Sequence, residues 1–151
     1  MRPACFLACM ALTLGLSVGP SSAQAPSEPI GYIKVLSGTA VVHRGDTVIP
    51  AAVAMPLQEH DRLETGRDGA LGATFRDNTR IAIGPDSQVD LVNFAFEPAD
   101  QKYGFLLRLV HGSMEYLSGL TAKLAPDAMS IQTPGATVAV RGTHLLLRAD
   151  P

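Results

Sequence analysis

Cysteine is almost missing from this chain: Cys5 and Cys9 are the two present, and tryptophan is absent. Beyond residue 9 there is no thiol, which excludes thiol catalysis, cysteine redox sensing and cysteine-ligated zinc from the rest of the chain. Lys and Arg never cluster, and the net charge is −2. That argues against a nucleic-acid binder, whose affinity comes from massed basic residues. Three tyrosines and five phenylalanines are the aromatic content, a thin supply for a sugar-stacking platform. The sequence holds no nucleophile elbow, phosphate loop or HExxH helix. The four histidines, His43, His60, His111 and His144, lack the short pairwise spacing of metal ligands. The reading is therefore of a chain with no catalytic residue, no metal site and no cofactor, in short not an enzyme.

The first 25 residues have the three-part plan of an export signal. Arg2 supplies a positive charge, Ala4 to Val18 are uncharged and largely apolar, and Ser21-Ser22-Ala23-Gln24-Ala25 are small or polar. The apolar run falls short of the roughly 20 residues that span a bilayer. Cleavage after Ala23 or after Ala25 fits a small-x-small rule; the first is favoured because the second leaves Pro26 leading. Both cysteines precede or lie within the apolar stretch, which excludes a lipidated cysteine after it. Loss of the signal removes one of 12 basic residues and none of 14 acidic ones, giving −3. The expected location is the periplasm, with no transmembrane helix once the signal is gone. About 125 residues remain, enough for one domain without disulfides.

Residues 26–29 form a short tether, and residues 30–151 form the domain. Short apolar runs separated by glycine-centred turns fill it. Leu71, Ala73 and Phe75 alternate, as do Ile81 and Ile83, and Val89 and Leu91, giving period two. Asp77-Asn78 and Gly84-Pro85-Asp86 supply turns between them. Pro50 and Pro56 bracket Ala51 to Met55 too tightly for a helix. Residues 97–104 read as a loop, Phe105 to Val110 as a strand, His111-Gly112-Ser113 as its turn, and 120–129 as holding one short helical turn. The predicted fold class is all-β: a β-helix-like or β-roll stack of short strands, with a two-sheet β-sandwich as the alternative.

The chain is organised around Ile131 to Leu147. Pro134 and Gly135 mark a turn after Thr133, and two apolar runs, Val138 to Val140 and Leu145 to Leu147, flank Arg141-Gly142-Thr143-His144. An arginine between such runs is expected at a core edge, tied to a carboxylate or carbonyls. Asp77 and Asp61 are the candidate partners, each beside a turn; the alternative is an Arg141 pointing to water. Leu145, Leu146, Leu147 and Arg148 make the candidate interaction edge, a terminal strand whose free donors and acceptors another strand could meet. Tyr32 to Leu36 is the other candidate edge.

The order Ile131-x-Thr133-Pro134-x-Ala136-x-x-Ala139-Val140-Arg141-Gly142-Thr143 resembles the C-terminal signature of FecR-type periplasmic domains. Arg76 to Ser87 resembles that family's central aspartate-turn-strand-proline segment, with Asn78 where glycine is common. Leu109 to Ser113 resembles its strand-glycine turn. Glu59 to Leu63 departs more, with His60 in a usual glycine position, and Leu145 stands where an aromatic is more usual. The resemblance implies a signalling or sensing module that meets a protein partner in the cell envelope, an outer-membrane receptor being one such partner. The competing expectation is a carbohydrate- or peptidoglycan-binding accessory domain, with glycan as ligand.

Overall fold

The computed structural model describes residues 28–141 and 144–150. The expected export signal, half of the expected tether, and Gly142, Thr143 and Pro151 lie outside the described residues. The domain is all-β, as its period-two alternation predicts. Twelve strands form one curled sheet: β1 (Gly31–Ser37), β2 (Ala40–Arg44), β3 (Thr47–Pro50), β4 (Pro56–Leu57), β5 (Arg62–Thr65), β6 (Ala70–Phe75), β7 (Arg80–Ile83), β8 (Ser87–Glu97), β9 (Lys102–Leu117), β10 (Met129–Thr133), β11 (Ala136–Ala139) and β12 (His144–Ala149). One short helix, α1 (Leu120–Leu124), follows β9.

The spine of the fold is β9. At 16 residues it runs roughly 50 Å at the usual rise per residue. Its first half lies between β8, antiparallel, and β10, parallel. Its second half lies between β7 and β12, both antiparallel. From the first half the sheet continues through β8, β5, β2 and β3, and from the second through β7, β6, β1 and β4. The curl is made by antiparallel neighbours, with β9–β10 the parallel pair among the described residues.

Two sequence expectations give way here. The strand that carries Phe105 begins at Lys102, and β8 extends to Glu97, so the loop of residues 97–104 shrinks to a 3₁₀ turn at Pro98–Asp100. Polar residues there pair across the hairpin, Glu97 opposite Lys102. Nor does His111-Gly112-Ser113 turn the chain. The strand passes straight through, and Gly112 absorbs a kink at φ 91. A Cβ on Gly112 would lie 2.5 Å from the Ser87 Cα, so glycine is needed both for conformation and for space.

The core is the inward face of this curl. Ile33, Leu63, Leu71, Ile83, Leu91, Leu107, Leu109, Met114 and Ile131 are buried, each from an alternating strand position. At one end Phe105 meets Phe75 at 4.7 Å and Phe94 at 4.9 Å, both edge-to-face, the arrangement ring quadrupoles favour. The proline-bracketed Ala51 to Met55 forms no helix and connects β3 to β4.

Candidate interaction edge

Among the described residues the last two strands lie at borders of the sheet. Pro134 and Gly135 turn β10 into β11, and the Thr133 hydroxyl closes that turn by donating to the Ala136 carbonyl at 3.2 Å. Val140, fully buried, then anchors the chain before Arg141, its amide reaching the Met129 carbonyl at 3.4 Å. The chain crosses from β11, which pairs with β10, to β12, which pairs with the far half of β9. Among the described residues β12 has no strand on its other side.

The strand alternates cleanly. Leu145 and Leu147 are half-buried and pack on the core, and Ala149 is buried, whereas His144, Leu146 and Arg148 face outward. Leu146 is 79% exposed, the highest value among the exposed large hydrophobics. His144 Nε2 sits 2.6 Å from Glu115 Oε1, a cross-strand diagonal that ties the edge to β9, and Arg148 Nε lies 3.4 Å from Asp150 Oδ1. On the outer face Leu146 continues a row through Glu115, Ala82, Gly72 and Val35. Gly72 and Ala82 are the floor of a shallow groove of about 390 Å³ in that row, rimmed by Lys34, Arg80 and Leu117.

Arg141 departs from expectation. It is paired, but with Asp127, at 3.2 Å, and both side chains are largely in solvent. Neither candidate acid reaches it, because each is already committed elsewhere. Asp61 is buried and receives two bonds from Arg44, Nε to Oδ1 at 2.8 Å and Nη2 to Oδ2 at 2.7 Å, plus the Gln58 amide at 2.8 Å. The bond to Asp61 raises the Arg44 pKa further above its ordinary value, against the opposing effect of burial. Asp77 is fully buried and accepts from the Thr79 amide at 3.0 Å, the Thr79 hydroxyl at 2.8 Å and the Thr121 amide at 3.3 Å. Its carbonyl also accepts from Leu120. Asp77 is thus the knot that fastens the β6–β7 turn to the start of α1. Asn78 in that turn takes φ 65 and His60 takes φ 68, left-handed values that account for a glycine preference at both positions.

Tyr116 sits beside this knot, fully buried. Among the described residues its hydroxyl makes no well-aligned hydrogen bond; the Thr79 hydroxyl, which donates to Asp77 and accepts from the Gly119 amide, lies next to it. Burial pushes the Tyr116 pKa up to about 12; the Thr79 hydroxyl beside it opposes the rise and the Asp77 charge adds to it. The other candidate edge, Tyr32 to Leu36, is flanked on both sides at its start: β1 pairs with β6 and with β4, and Ile33 exchanges backbone bonds with the loop at Ala54 and Met55.

The model of the FecR protein family matches residues 61–151, more than half of the chain. This chain belongs to the FecR family. The match starts at Asp61 and takes in β5 through β12, so the Asp77 knot, the β10–β11 hairpin and the β12 edge all fall within the FecR region. The family is a regulatory and signalling one. No curated protein and no solved structure matches the chain significantly. No helix among the described residues is long and apolar enough to cross a membrane. Arg44, the partner of Asp61, lies before the FecR match and was missed in the sequence; its signal was an arginine opening the Arg44-Gly45-Asp46 turn.

Proposed function

We propose that this FecR-type domain is exported to the periplasm and acts there as a non-enzymatic signalling or sensing module, by binding a protein partner along β12. The observation that supports this is the combination of a free six-residue strand with Leu146 exposed on it. A border with no strand beyond it among the described residues offers backbone donors and acceptors for strand addition, and Leu146 stands exposed on it between His144 and Arg148. The buried polar groups fit a scaffold role: Asp61 and Asp77 are both saturated by hydrogen bonds within the fold.

The test is affinity capture from envelope extract with the wild-type domain, Leu146→Pro, which removes one donor from the strand, and Leu146→Lys, which alters only an exposed position. Loss of the same captured protein from both folded variants is the expected result. Unchanged capture by both would exclude β12 as the binding border. Intact-mass analysis of periplasmic protein should show the loss of 23 or 25 residues; an unprocessed chain pelleting with membranes would refute export.

A second reading, glycan binding, is supported by a polar depression of about 370 Å³ on the opposite half of the sheet, lined by His43, Arg62, Asp90 and Arg108. Arg108 there also donates to Gln132 at 3.1 Å. Binding to peptidoglycan fragments that is lost in Arg108→Ala would favour it over the border.

A further inference from the structure

We propose that β12 is a self-complementary border, and that its occupant is the β12 strand of a second copy of this chain, paired antiparallel about a two-fold axis through Leu147. The inference rests on the reading of β12 as a binding edge and names its partner.

Residues directly opposite in an antiparallel pair share a face. Because β12 points His144, Leu146 and Arg148 outward and Leu145, Leu147 and Ala149 inward, the axis must pass through a residue. An axis between Leu146 and Leu147 would set an outward side chain against an inward one all along the strand. Two registers with extensive overlap remain, centred on Leu146 or on Leu147.

Charge separates them. Centring on Leu146 places His144, already held by Glu115, opposite Arg148 of the second copy, already held by Asp150. The new contact, made twice by symmetry, gains no acid for either base. Centring on Leu147 places His144 opposite Asp150 of the second copy, and Leu146 opposite its Arg148. One strand inward from Leu146 stands Glu115, so the long arginine stem can cover Leu146 while its head points toward that carboxylate. Acid and base then alternate across the outer face.

The inward face agrees. Leu147 meets its own copy and Leu145 meets Ala149 of the other. These extend a core row that already holds the fully buried Met114 and Tyr116, which pair with Leu147 and Leu145 in β9. The half-exposed inner leucines would be covered, and the sheet half that ends at β12 would continue into its symmetry mate. Such isologous closure ends with two copies, because each border is consumed by the other.

A border this short belongs to the weak class of interfaces. Sedimentation of the purified protein should therefore show dimer at about 100 µM and monomer near about 1 µM. Leu146→Lys, at an exposed position, should remain folded and stay monomeric at the higher concentration. With Cys5 and Cys9 replaced by serine, Leu147→Cys should cross-link under mild oxidation. Leu146→Cys should not, since offset residues in that register exceed the roughly 7 Å Cα separation a disulfide spans. A wild-type protein monomeric at about 100 µM, or a dimer that Leu146→Lys leaves intact, would overturn the proposal. So would a cross-link in the Leu146→Cys variant and none in Leu147→Cys. If the protein stays monomeric yet still captures an envelope protein in a Leu146-dependent way, a foreign strand occupies the border: the second-copy inference falls and the edge reading stands.

Discussion

Arg44 and Arg141 each meet one aspartate, and the two corners differ in almost every other respect. At the first, Asp61 is buried and takes both bonds of a guanidinium fork, at 2.8 and 2.7 Å. At the second, Arg141 and Asp127 touch at 3.2 Å, with side chains 77% and 89% exposed. Both arginines precede a glycine in the sequence, so nothing local separates them. The difference is what lies behind the carboxylate: Asp61 backs onto the core beside Leu91 and Leu63, and Asp127 sits on the surface turn before β10. Burial of the acid, not the presence of an arginine in an apolar run, decides which pair matters.

The comparison would break most visibly at Arg44. Arg44→Met strands the Asp61 carboxylate in the interior; breaking a buried pair costs about 3–5 kcal/mol, and with the Arg44 side chain 30% exposed the lower end of that range applies. A urea melt should show a large fall in midpoint. A fall no greater than that of a surface substitution would mean that water replaces the guanidinium at no cost.

Asp77 is the next largest. Among the described residues it has no cationic partner, but Asp77→Ala would leave the Thr79 amide, the Thr79 hydroxyl and the Thr121 amide without their acceptor in a buried site. Orphaned buried donors cost about 1–3 kcal/mol each, partly recovered by relaxation, so a loss of about 3 kcal/mol is expected. Hydrogen exchange should quicken first at α1, whose start the knot holds. Uniform exchange across the domain would show that the knot is not local to α1.

How much of this was legible is clear from the same residues. The all-β class, the turns at Asn78 and Pro134, and the strand of Leu145 to Leu147 all follow from local rules: alternation, proline geometry and left-handed tolerance. The partner of Arg141 does not. Asp61, Asp77 and Asp127 are each acids beside turns, and which one is buried depends on contacts with β2, with α1 and with solvent that lie far apart in sequence. The length of β9 was hidden for a related reason. Gly112 carries a turn signature, yet the close approach of Ser87 turns it into a kink inside a continuous strand. His144–Glu115 was likewise invisible, since it exists only once β12 lies beside β9.

The Tyr116 hydroxyl extends the comparison to pH. Its pKa is pushed up to about 12 by burial, from an ordinary 10.0. Below pH 10 both folded and unfolded chains hold the proton, and stability does not change on its account. Between 10 and 12 the unfolded chain releases the proton and the folded one retains it, so stability falls with rising pH, by about 3 kcal/mol at most. Melts across this window, with Tyr116→Phe as the control that removes the dependence, check the sign. A wild-type slope equal to that of the variant would show that the phenol reaches water.

The smallest effect is expected where the sequence pointed most strongly. Arg141→Met removes a guanidinium whose one carboxylate partner is 89% exposed. Coulomb attraction there is screened, and ordering two mobile side chains offsets most of it, so the change should be about 0.5 kcal/mol or less. The informative measurement is paired: melting points of Arg141→Met and Arg44→Met in the same buffer, at low and at high salt. Arg141→Met should lie within error of wild type at high salt, while the deficit of Arg44→Met should persist, because salt does not screen a buried carboxylate. Equal deficits would mean that Arg141 is engaged by more than Asp127 in the folded domain. The arginine of the FecR signature would then serve stability, whereas a near-zero value leaves it free to serve contact at the neighbouring β12 border.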